Sequence, residues 1–450
     1  MDTLAGPLAA ERLGGRPPDM LTVDDAFERV LAAFAPLEEH ERVSILDALG
    51  RVIVEDVPAD IDVPPFDNSA MDGYAVRGAD VARATAERPA SLRLLGEVAA
   101  GQVAARPVGP GEGYRILTGA PLPPGADTVV PYEYTDGKGF GGWRAGAGAA
   151  GESVAEREVR VFRAVEAADN TRRAGEDQRR GEVVLRAGTL VRPAEVGVLA
   201  SLGRTRVWVH RRPRIAVLST GDEVVPVDQP LGPGQIRNAN SWSLLALIRH
   251  YGGEPLDLGI APDRPEAVRE RLLDGVSRGA DLLLTSGGVS MGDRDVVKGL
   301  LQEEGEIAFW SIDLRPGKPL AFGRLRGVPI MGLPGNPVSS MVTFELFARP
   351  ALLRLAGQRR LRKVQVEAVA LQPISNRSGR ENFMRGALSR RPDAAGGGTP
   401  WQVRLTGEQG SGILTSMARA NALVRVPKTR TRIEAGELVT VWLLDWTPLE

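Results

Sequence analysis

The residues whose types and spacing best suit ligand binding or catalysis lie at positions 280–298, in the sequence ADLLLTSGGVSMGDRDVVK. The apolar run predicts a buried strand, the glycine pair predicts a turn, and a helical pattern begins near Asp295. Glycines let a backbone approach a ligand closely, and the free N–H groups of a first helical turn attract anions. Asp293 and Asp295 add carboxylates at the mouth of this turn, and Lys298 follows one helical step later.

This stretch has two interpretations. Carboxylates beside a phosphate site usually need a metal ion between them, which favours a phosphorylated ligand held with Mg²⁺. Alternatively, the stretch is a tight turn in which an aspartate caps the following helix. Glycine-rich turns are common in proteins, so residues 280–298 alone leave both interpretations open.

Other segments also place polar turn residues directly after a predicted strand. They are STGDE at residues 219–223, Asp263, and PGNP at residues 334–337. Strand-like and helical runs alternate over residues 211–356, which predicts a mainly parallel sheet with helices on both faces. Because ligands bind outside the carboxyl ends of such strands, we expect these segments and residues 286–295 to meet at one edge of the sheet.

The composition argues against several classes of protein. The chain has 450 residues, a formal net charge of -1 and no apolar run long enough to cross a bilayer, so neither a nucleic-acid partner nor a membrane partner is expected. It has no cysteine, which excludes disulfides, thiolate metal sites and a cysteine nucleophile. The three histidines are scattered, so a histidine-based site is not expected. No secretory signal pattern is present, and we expect a cytoplasmic protein.

Regular elements are also predicted outside the alternating region. Thr22 caps a first helix, and further helices are predicted over residues 43–49 and 193–202. Residues 92–135 contain short strand-like runs between glycine turns, which predicts a small β domain. Strand-like runs return after residue 360 and predict a barrel-like C-terminal domain.

A loop is predicted over residues 63–76, VPPFDNSAMDGYAV, because its prolines and its Asp-Asn-Ser cluster disfavour regular structure. Asp67 and Asp72 are the acidic groups of this loop. One interpretation is an Asx-turn stabilised by its own side chains. The other is a pair of carboxylates presented to a ligand, and local sequence favours the first.

Taken together, these motifs resemble those of the molybdopterin molybdenumtransferases, the enzymes that insert molybdate into molybdopterin and relatives of the E domain of gephyrin. The resemblance runs from about residue 20 to the end of the chain. Its seven motifs stand in the family's order: DNSAMDGYAV at 67–76, LTGAP at 117–121, GED at 175–177, STGDE at 219–223, TSGGVSMGDRD at 285–295, RPGKP at 315–319 and GLPGNPVSS at 332–340.

The resemblance implies that adenylylated molybdopterin and molybdate give molybdenum cofactor and AMP, with Mg²⁺. The substrate supplies a dithiolene, so a cysteine-free protein can still build a metal–sulfur centre. An elongated homodimer and a transient contact with the molybdopterin adenylyltransferase are also implied. The expected fold class is α/β plus β, with a central doubly wound, mainly parallel sheet, small β domains and an N-terminal helical, elongated domain. The expected boundaries are a disordered stretch at 1–20, domain I at 21–60 and 165–205, domain II at 61–164, domain III at 206–357 and domain IV at 358–450.

The resemblance also implies roles for individual residues. The implied catalytic residues are Asp72, Thr118, Glu223, Asp263 and Asp295, and Glu223, Asp263 and Asp295 would hold Mg²⁺. The loop that carries Asp72 would reach the cleft of the partner subunit, and Asp177 would support the structure. The implied substrate-binding residues are Ser219, Thr220, Gly221, Asp222, Ser286, Gly287, Gly288, Ser290, Lys298, Pro334, Gly335, Asn336 and Pro337.

Molybdate is a tetrahedral dianion, which needs several cationic or N–H donors around it. By resemblance its pocket is formed by Arg315, Lys318, Arg385 and Ser411. Two positions depart from the family pattern. Arg315 stands where many relatives have lysine, which keeps the charge and changes the geometry, and Ser311 replaces a lysine found in some relatives.

Two other functions are compatible with parts of this pattern. The adenylyltransferase of the preceding step has a similar sheet, but it typically carries GGTG after the strand, where this chain has GGVS at residues 287–290. The additional domains of this chain also argue against that function. A non-enzymatic scaffold is the third interpretation, because the E domain of gephyrin also anchors receptors, but this chain has no long linker or partner domain.

Overall fold

The computed structural model of the protein describes residues 20–137, 158–288, 296–391 and 399–444. Its contacts divide the chain into two compact units. The larger unit contains Met1–Val43, Asp47–Val54 and Trp208–Glu450, and the smaller unit contains Ser44–Leu46 and Glu55–Val207. The finer division into four domains stays a prediction. The predicted disorder of residues 1–20 falls almost entirely outside the described residues.

Nine α-helices are found in the described residues, together with a 3₁₀ turn at Tyr132–Tyr134 and a π-helical segment at Phe344–Ala348. None of the helices in this part of the chain is long and apolar enough to pass through a membrane. The helices are α1 (Val23–Ala32), α2 (Gly78–Val81), α3 (Pro193–Ser201), α4 (Ala239–His250), α5 (Pro265–Ser277), α6 (Val296–Glu304), α7 (Pro337–Thr343), α8 (Arg349–Leu355) and α9 (Thr415–Ala418).

The strands of the described residues range in length from 2 to 10 residues. Up to residue 210 they are β1 (His40–Ser44), β2 (Val57–Pro58), β3 (Asn68–Ser69), β4 (Gly73–Val76), β5 (Ala90–Val98), β6 (Glu112–Ile116), β7 (Thr128–Pro131), β8 (Glu158–Val161), β9 (Thr171–Arg172), β10 (Val183–Leu185) and β11 (Arg206–His210). The remainder are β12 (Arg214–Thr220), β13 (Val224–Val225), β14 (Ile236–Arg237), β15 (Glu254–Ala261), β16 (Leu282–Ser286), β17 (Gly305–Ser311), β18 (Leu314–Arg315), β19 (Pro319–Leu325), β20 (Val328–Leu333), β21 (Gln365–Ala370), β22 (Ile374–Ser375), β23 (Glu381–Arg390), β24 (Trp401–Leu405), β25 (Ala422–Val426), β26 (Arg432–Ile433) and β27 (Leu438–Leu443).

The larger unit is built on a six-stranded sheet in the order β15-β12-β16-β20-β19-β17. The first four strands are parallel, and β19 runs antiparallel to both of its neighbours. In β12, Ile215 and Val217 pack in a core with residues of α1, α4 and α8, whereas Ala216 and Leu218 pack in a core with residues of α5 and α6. Helices therefore cover both faces, and the predicted doubly wound, mainly parallel sheet is confirmed.

The C-terminal strands of the larger unit form a closed barrel. The strands pair in the order β23-β24-β21-β27-β25, and β25 pairs back onto β23. The short strand β18 adds to the outside of this ring by pairing with β23. The barrel-like fold predicted for this part of the chain is confirmed.

The smaller unit contains a five-stranded sheet in the order β7-β4-β6-β5-β8, which confirms the predicted small β domain. The prediction of a loop over residues 63–76 was wrong in two places, since Asn68–Ser69 is the short strand β3, paired with β9, and Gly73–Val76 is a fully buried strand between β6 and β7. A Cβ added at Gly73 would lie 2.1 Å from the carbonyl oxygen of Val130. The glycine thus permits close strand packing there, although an Asp-Gly pair usually signals a turn.

The helix predicted over residues 43–49 is absent, and strand β1 runs to Ser44 before turns that reach Gly50. The apolar residues of this segment have helical spacing, but Leu46 and Leu49 are 70% and 43% exposed. They therefore bury little surface to stabilise a helix. β1 instead pairs with β11, which satisfies its backbone groups in another way.

Candidate functional site

A pocket opens in the larger unit at the carboxyl edge of the parallel strands. The segments that follow β12, β15, β16 and β20 all contribute to it, because these four strands run parallel and end at the same edge. The expectation that these segments meet is therefore confirmed for their described residues, which reach Gly288 in the segment at 286–295. The residues that line the pocket are Ser219, Thr220, Gly221, Glu223, Val224, Ile236, Arg237, Asn238, Ala239, Asn240, Asp263, Ser286, Gly287, Gly288, Gly335 and Pro337.

Glycines allow the turns after β12 and β16 to approach each other. Gly287 has a φ of +89°, and a Cβ added there would lie 2.7 Å from the carbonyl oxygen of Thr220. A larger residue would therefore be strained by its backbone and would also clash with the neighbouring strand end. The N–H of Gly287 donates to the carbonyl oxygen of Leu333, 3.2 Å away, which ties the turn to the end of β20.

The N-terminus of α4 is bonded to three of the strand ends. Asn238 caps the helix, since its Oδ1 accepts from the N–H of Ser241 at 3.1 Å and from Oγ of Ser219 at 2.8 Å. Nδ2 of Asn240 donates to Oγ of Ser286 at 2.8 Å and to the carbonyl oxygen of Gly335 at 2.7 Å. These bonds fix the helix N-terminus, with its partial positive charge, in the pocket wall.

Three carboxylates are crowded at one side of the pocket. Oδ1 of Asp222 accepts from the N–H of Asp263 at 3.2 Å, and Glu223 lines the pocket beside them. Burial raises the pKa of Asp263, and the negative charges of Asp222 and Glu223 raise it further. A bound cation would relieve this repulsion, and carboxylate oxygens are the ligands that Mg²⁺ prefers.

Thr220 supplies a polar group without a partner. Its side chain is only 4% exposed, and among the described residues nothing meets its Oγ1 at hydrogen-bonding geometry. The hydroxyl is nevertheless close enough to Asp263 to oppose the rise in that residue's pKa slightly. A buried hydroxyl in a pocket wall is costly to leave unpaired, so a ligand oxygen bonded to it would be favoured.

The predicted metal site cannot be assembled from the described residues alone, in which no group of three or more histidine, cysteine or acidic side chains is placed to hold an ion. Asp295 and Ser290 belong to residues 289–295, outside the described part of the chain. Glu223 and Asp263 both line the pocket. Two carboxylates suit Mg²⁺, which usually binds one or two of them and completes its coordination with water and substrate phosphates.

The remaining predicted substrate residues lie at the starts of two helices. Gly335 and Pro337 line the pocket, and Asn336 between them precedes the first turn of α7. Pro334 directly follows β20. Lys298 is an exposed residue in the first turn of α6 and is not among the residues that line the pocket.

The four residues predicted to bind molybdate lie on two strands and two loops of the larger unit. Arg315 is exposed on β18, where it is paired with Asn382 of β23, and Lys318 follows in the loop to β19. Arg385 lies three positions further along β23. The carbonyl oxygen of Ser411 accepts from the N–H of Val338, at the start of α7, at 3.0 Å.

Arg385 is more enclosed than its predicted role suggests, because its side chain is almost entirely buried. Nε donates to Oγ of Ser416 at 2.9 Å, and Nη2 donates to the carbonyl oxygens of Gly410 at 3.0 Å and Glu408 at 3.3 Å. Burial lowers the pKa of Arg385 to about 10, so it still carries its charge at neutral pH. The geometry makes Arg385 a support for the loop between β24 and α9, which contains Ser411.

In the smaller unit, Asp72 and Thr118 lie at neighbouring strand ends. Asp72 precedes β4 and Thr118 follows β6, and these two strands are paired antiparallel. The backbone N–H and the hydroxyl of Thr118 each donate to Oδ1 of Asp72 at 2.7 Å. These bonds lower the pKa of Asp72, so the exposed carboxylate is held in its charged form.

The other acidic residues of this region make structural contacts. Oδ1 of Asp67 accepts from the N–H of Ala174 at 2.7 Å, which joins the 63–76 segment to a distant part of the smaller unit. The backbone N–H of Asp177 donates to the carbonyl oxygen of Val63 at 3.0 Å. Of the two carboxylates in the segment, only Asp72 is therefore placed beside a second predicted site residue.

Six pocket residues were missed by the sequence analysis, of which three are polar, Arg237, Asn238 and Asn240, and three are apolar, Val224, Ile236 and Ala239. The polar residues at 237–241 indicate the start of a helix. They do not indicate that the chain folds back after β13 and places this helix start beside β12. The pairing of β13 with β14 is a tertiary feature between two-residue strands, too short to leave a periodic pattern.

Three segments of the chain match known family descriptions. Residues 21–203 match "MoeA N-terminal region (domain I and II)", residues 216–354 match "Probable molybdopterin binding domain", and residues 367–444 match "MoeA C-terminal region (domain IV)". The matches follow one another without overlap and together extend over most of the chain.

Similar proteins match over nearly their whole length. The chain is 35% identical over 424 residues to the molybdopterin molybdenumtransferase of Haemophilus influenzae, covering 94% of this chain and 98% of the relative. It is 35% identical over 444 residues to molybdopterin molybdenumtransferase 1 of Mycobacterium tuberculosis, covering 94% and 99%. The crystal structure of the molybdopterin biosynthesis moeA protein from Pyrococcus horikoshii OT3 matches with a TM-score of 0.76 at 30% identity, covering 95% of this chain and 100% of that one. The chain therefore belongs to the molybdopterin molybdenumtransferase family.

Proposed function

We propose that this protein, a molybdenum-transferring enzyme of molybdenum cofactor biosynthesis, takes adenylylated molybdopterin and molybdate as substrates and releases AMP, with Mg²⁺ as cofactor. The observation that carries the proposal is the pocket at the ends of four parallel strands. It combines glycine turns, a helix N-terminus and crowded carboxylates in one wall. Such a wall suits a phosphorylated ligand that brings a divalent cation with it.

The pocket residues would bind and orient the adenylylated substrate. The turn at Gly287 and Gly288 gives a phosphate close access to backbone, and Thr220 offers its unpaired hydroxyl. Glu223 and Asp263, with Asp295 as predicted, would hold Mg²⁺, which would neutralise the charge that develops when the adenylate is cleaved. The carboxylates left free of the ion would orient the attacking water.

Molybdate would be bound by Arg315, Lys318, Arg385 and Ser411. Arg315 at the end of β18 and Lys318 in the loop that follows are cationic residues three positions apart, and Arg385 stabilises the segment that contains Ser411 through two carbonyl contacts. We therefore propose a direct role for the first two cations and a supporting role for Arg385. Charge-assisted hydrogen bonds contribute roughly 1.5–3 kcal/mol each, so losing one cation should weaken molybdate binding without unfolding the chain.

We also propose that the protein works in the cytoplasm as a homodimer and contacts the molybdopterin adenylyltransferase transiently. The resemblance supports this arrangement, in which Asp72 of one subunit serves the pocket of the other. Asp72 lies in the smaller unit of the chain and the pocket lies in the larger one.

The proposed reaction is tested by incubating the purified protein with adenylylated molybdopterin, molybdate and Mg²⁺ and measuring AMP. We expect Asp263→Asn to reduce turnover at least a hundredfold, because it removes a predicted metal ligand. Its thermal stability should be unchanged or higher, because the substitution also removes repulsion from Asp222 and Glu223. The matched control is Asp228→Asn, an exposed aspartate outside the pocket, which should behave as wild type. AMP release by Asp263→Asn at the wild-type rate would contradict the proposed site.

A further inference from the structure

Arg237 is a pocket residue to which neither the sequence motifs nor the family resemblance gives a role. It lies on β14, which pairs with β13 directly after the turn that carries Glu223. The N–H of Ile236 donates to the carbonyl oxygen of Glu223 at 2.8 Å, and the N–H of Asn238 donates to that of Val225 at 2.9 Å. The backbone on both sides of Arg237 is therefore fixed to the turn that carries one of the pocket carboxylates.

The guanidinium of Arg237 is oriented by neutral groups. Nε donates to the carbonyl oxygen of Val227 at 3.0 Å, and Nη2 donates to that of Gln229 at 3.4 Å. No carboxylate of the described residues forms an ion pair with it. These two bonds use Nε and Nη2 and restrict the movement of the fork, and Nη1 takes part in neither of them.

Arg237 is important because the other charged side chains that line the pocket are negative. Glu223 and Asp263 contribute negative charge, and Arg237 is the one lysine or arginine among the lining residues of the described chain. A cation of the protein would favour the binding of an anionic ligand in this pocket, as a metal ion would. The start of α4 lies directly after Arg237 and adds a second positive end to the same wall.

We propose that Arg237 binds a phosphate group of the substrate and is a main determinant of substrate affinity in this pocket. The guanidinium fork matches a phosphate in a bidentate manner, and Thr220 Oγ1 is an additional donor in the same pocket. The inference rests on the proposed function, in which the substrate carries a nucleotide phosphate and a pterin phosphate. Either phosphate presents the same chemistry to Arg237.

The test compares Arg237→Gln, Arg237→Lys and wild type by calorimetric titration with AMP and, separately, with molybdopterin, at one ionic strength with Mg²⁺. Loss of a bidentate charge-assisted contact should raise the Kd of one of the two ligands by roughly tenfold or more. Arg237→Lys should recover part of this loss, since it keeps the charge but not the fork. The control is Arg249→Gln, an exposed arginine in the last turn of α4, which should change neither Kd more than about twofold.

The ligand that responds identifies the phosphate that Arg237 contacts. A second readout separates binding from folding and chemistry: Arg237→Gln should raise KM for adenylylated molybdopterin more than it lowers kcat, and its melting temperature should equal that of the control. Unchanged Kd values for both ligands in Arg237→Gln would overturn the inference while leaving the proposed function intact. Failure of wild-type protein to bind either ligand would instead overturn the proposed function, and the role of Arg237 with it.

Discussion

Thr118 donates two hydrogen bonds to the same carboxylate oxygen of Asp72, one from its backbone N–H and one from its hydroxyl, each 2.7 Å long. The two residues are 46 positions apart in sequence and are brought together by the antiparallel pairing of β4 with β6. Because both bonds favour the charged form, they hold the pKa of Asp72 below its usual value, with a small further contribution from Arg115. Thr118 thus fixes the position of the Asp72 carboxylate and keeps it in its charged form.

This relationship predicts a pH effect of Thr118→Val. The substitution keeps the backbone N–H and the shape of the side chain but removes the hydroxyl donor, so the pKa of Asp72 should rise toward its usual value. Asp72 is then protonated at a higher pH, and the acidic limb of the kcat/KM profile should move to higher pH. Thr118→Ser keeps the donor and should leave that limb in place. A Thr118→Val profile that coincides with wild type would show that the charge of Asp72 does not limit the reaction.

The sequence predicts those parts of the fold whose signals are local and periodic. Helix α3 was expected at residues 193–202 and is found at Pro193–Ser201, because a proline at its first position and Gly203 just after its end mark both boundaries. The parallel sheet follows from alternating strands and helices. The convergence of its strand ends then follows from the rule that parallel strands end at one edge.

The parts that the sequence does not predict depend on partners far along the chain. Residues Gly73–Val76 become a buried strand only because β6 and β7 enclose them. Arg237 and Asn240 enter the pocket only because of the two-residue pairing of β13 with β14. Arg385 looks like any strand arginine in the sequence, and its burial depends on carbonyl groups from the 408–410 loop.

A buried ion pair in the larger unit leads to a prediction about stability. Nζ of Lys363 lies 2.7 Å from Oε2 of Glu345, and the two side chains are 1% and 0% exposed. The hydroxyl of Tyr251 donates to both oxygens of Glu345, at 3.0 and 3.1 Å. Burial raises the pKa of Glu345, and Lys363 opposes that rise. Lys363→Met should therefore destabilise the protein by roughly 3–5 kcal/mol, because it leaves a buried carboxylate without its cation.

The measurement is urea unfolding at several pH values, with Glu345→Gln/Lys363→Met as the matched double variant. The double variant should lose much less stability, because it removes both charges of the ion pair, although the buried Arg349, which also interacts with Glu345, stays in place. For Lys363→Met the loss should shrink as the pH falls through the raised pKa of Glu345, where the folded state takes up a proton and the neutral acid needs no cation. Equal losses in the single and double variants at neutral pH would show that packing, and not charge, explains the effect.

The proposed homodimer leads to a prediction that distinguishes an active site shared by two subunits from an active site formed within one chain. Asp72→Asn and Asp263→Asn should each inactivate the enzyme, since both residues are predicted to be catalytic. Chains with the two substitutions can be co-expressed with different tags and purified in tandem, so that every dimer contains one of each.

If Asp72 serves the pocket of the partner subunit, one site of each mixed dimer has both carboxylates and the other has neither, so AMP release should return to about half of the wild-type rate. If Asp72 serves its own pocket, both sites of the mixed dimer lack one carboxylate, and activity should stay at the level of the single variants. Dimers purified in the same way from two differently tagged Asp72→Asn chains provide the background. A protein that elutes as a monomer under assay conditions would contradict the shared site directly.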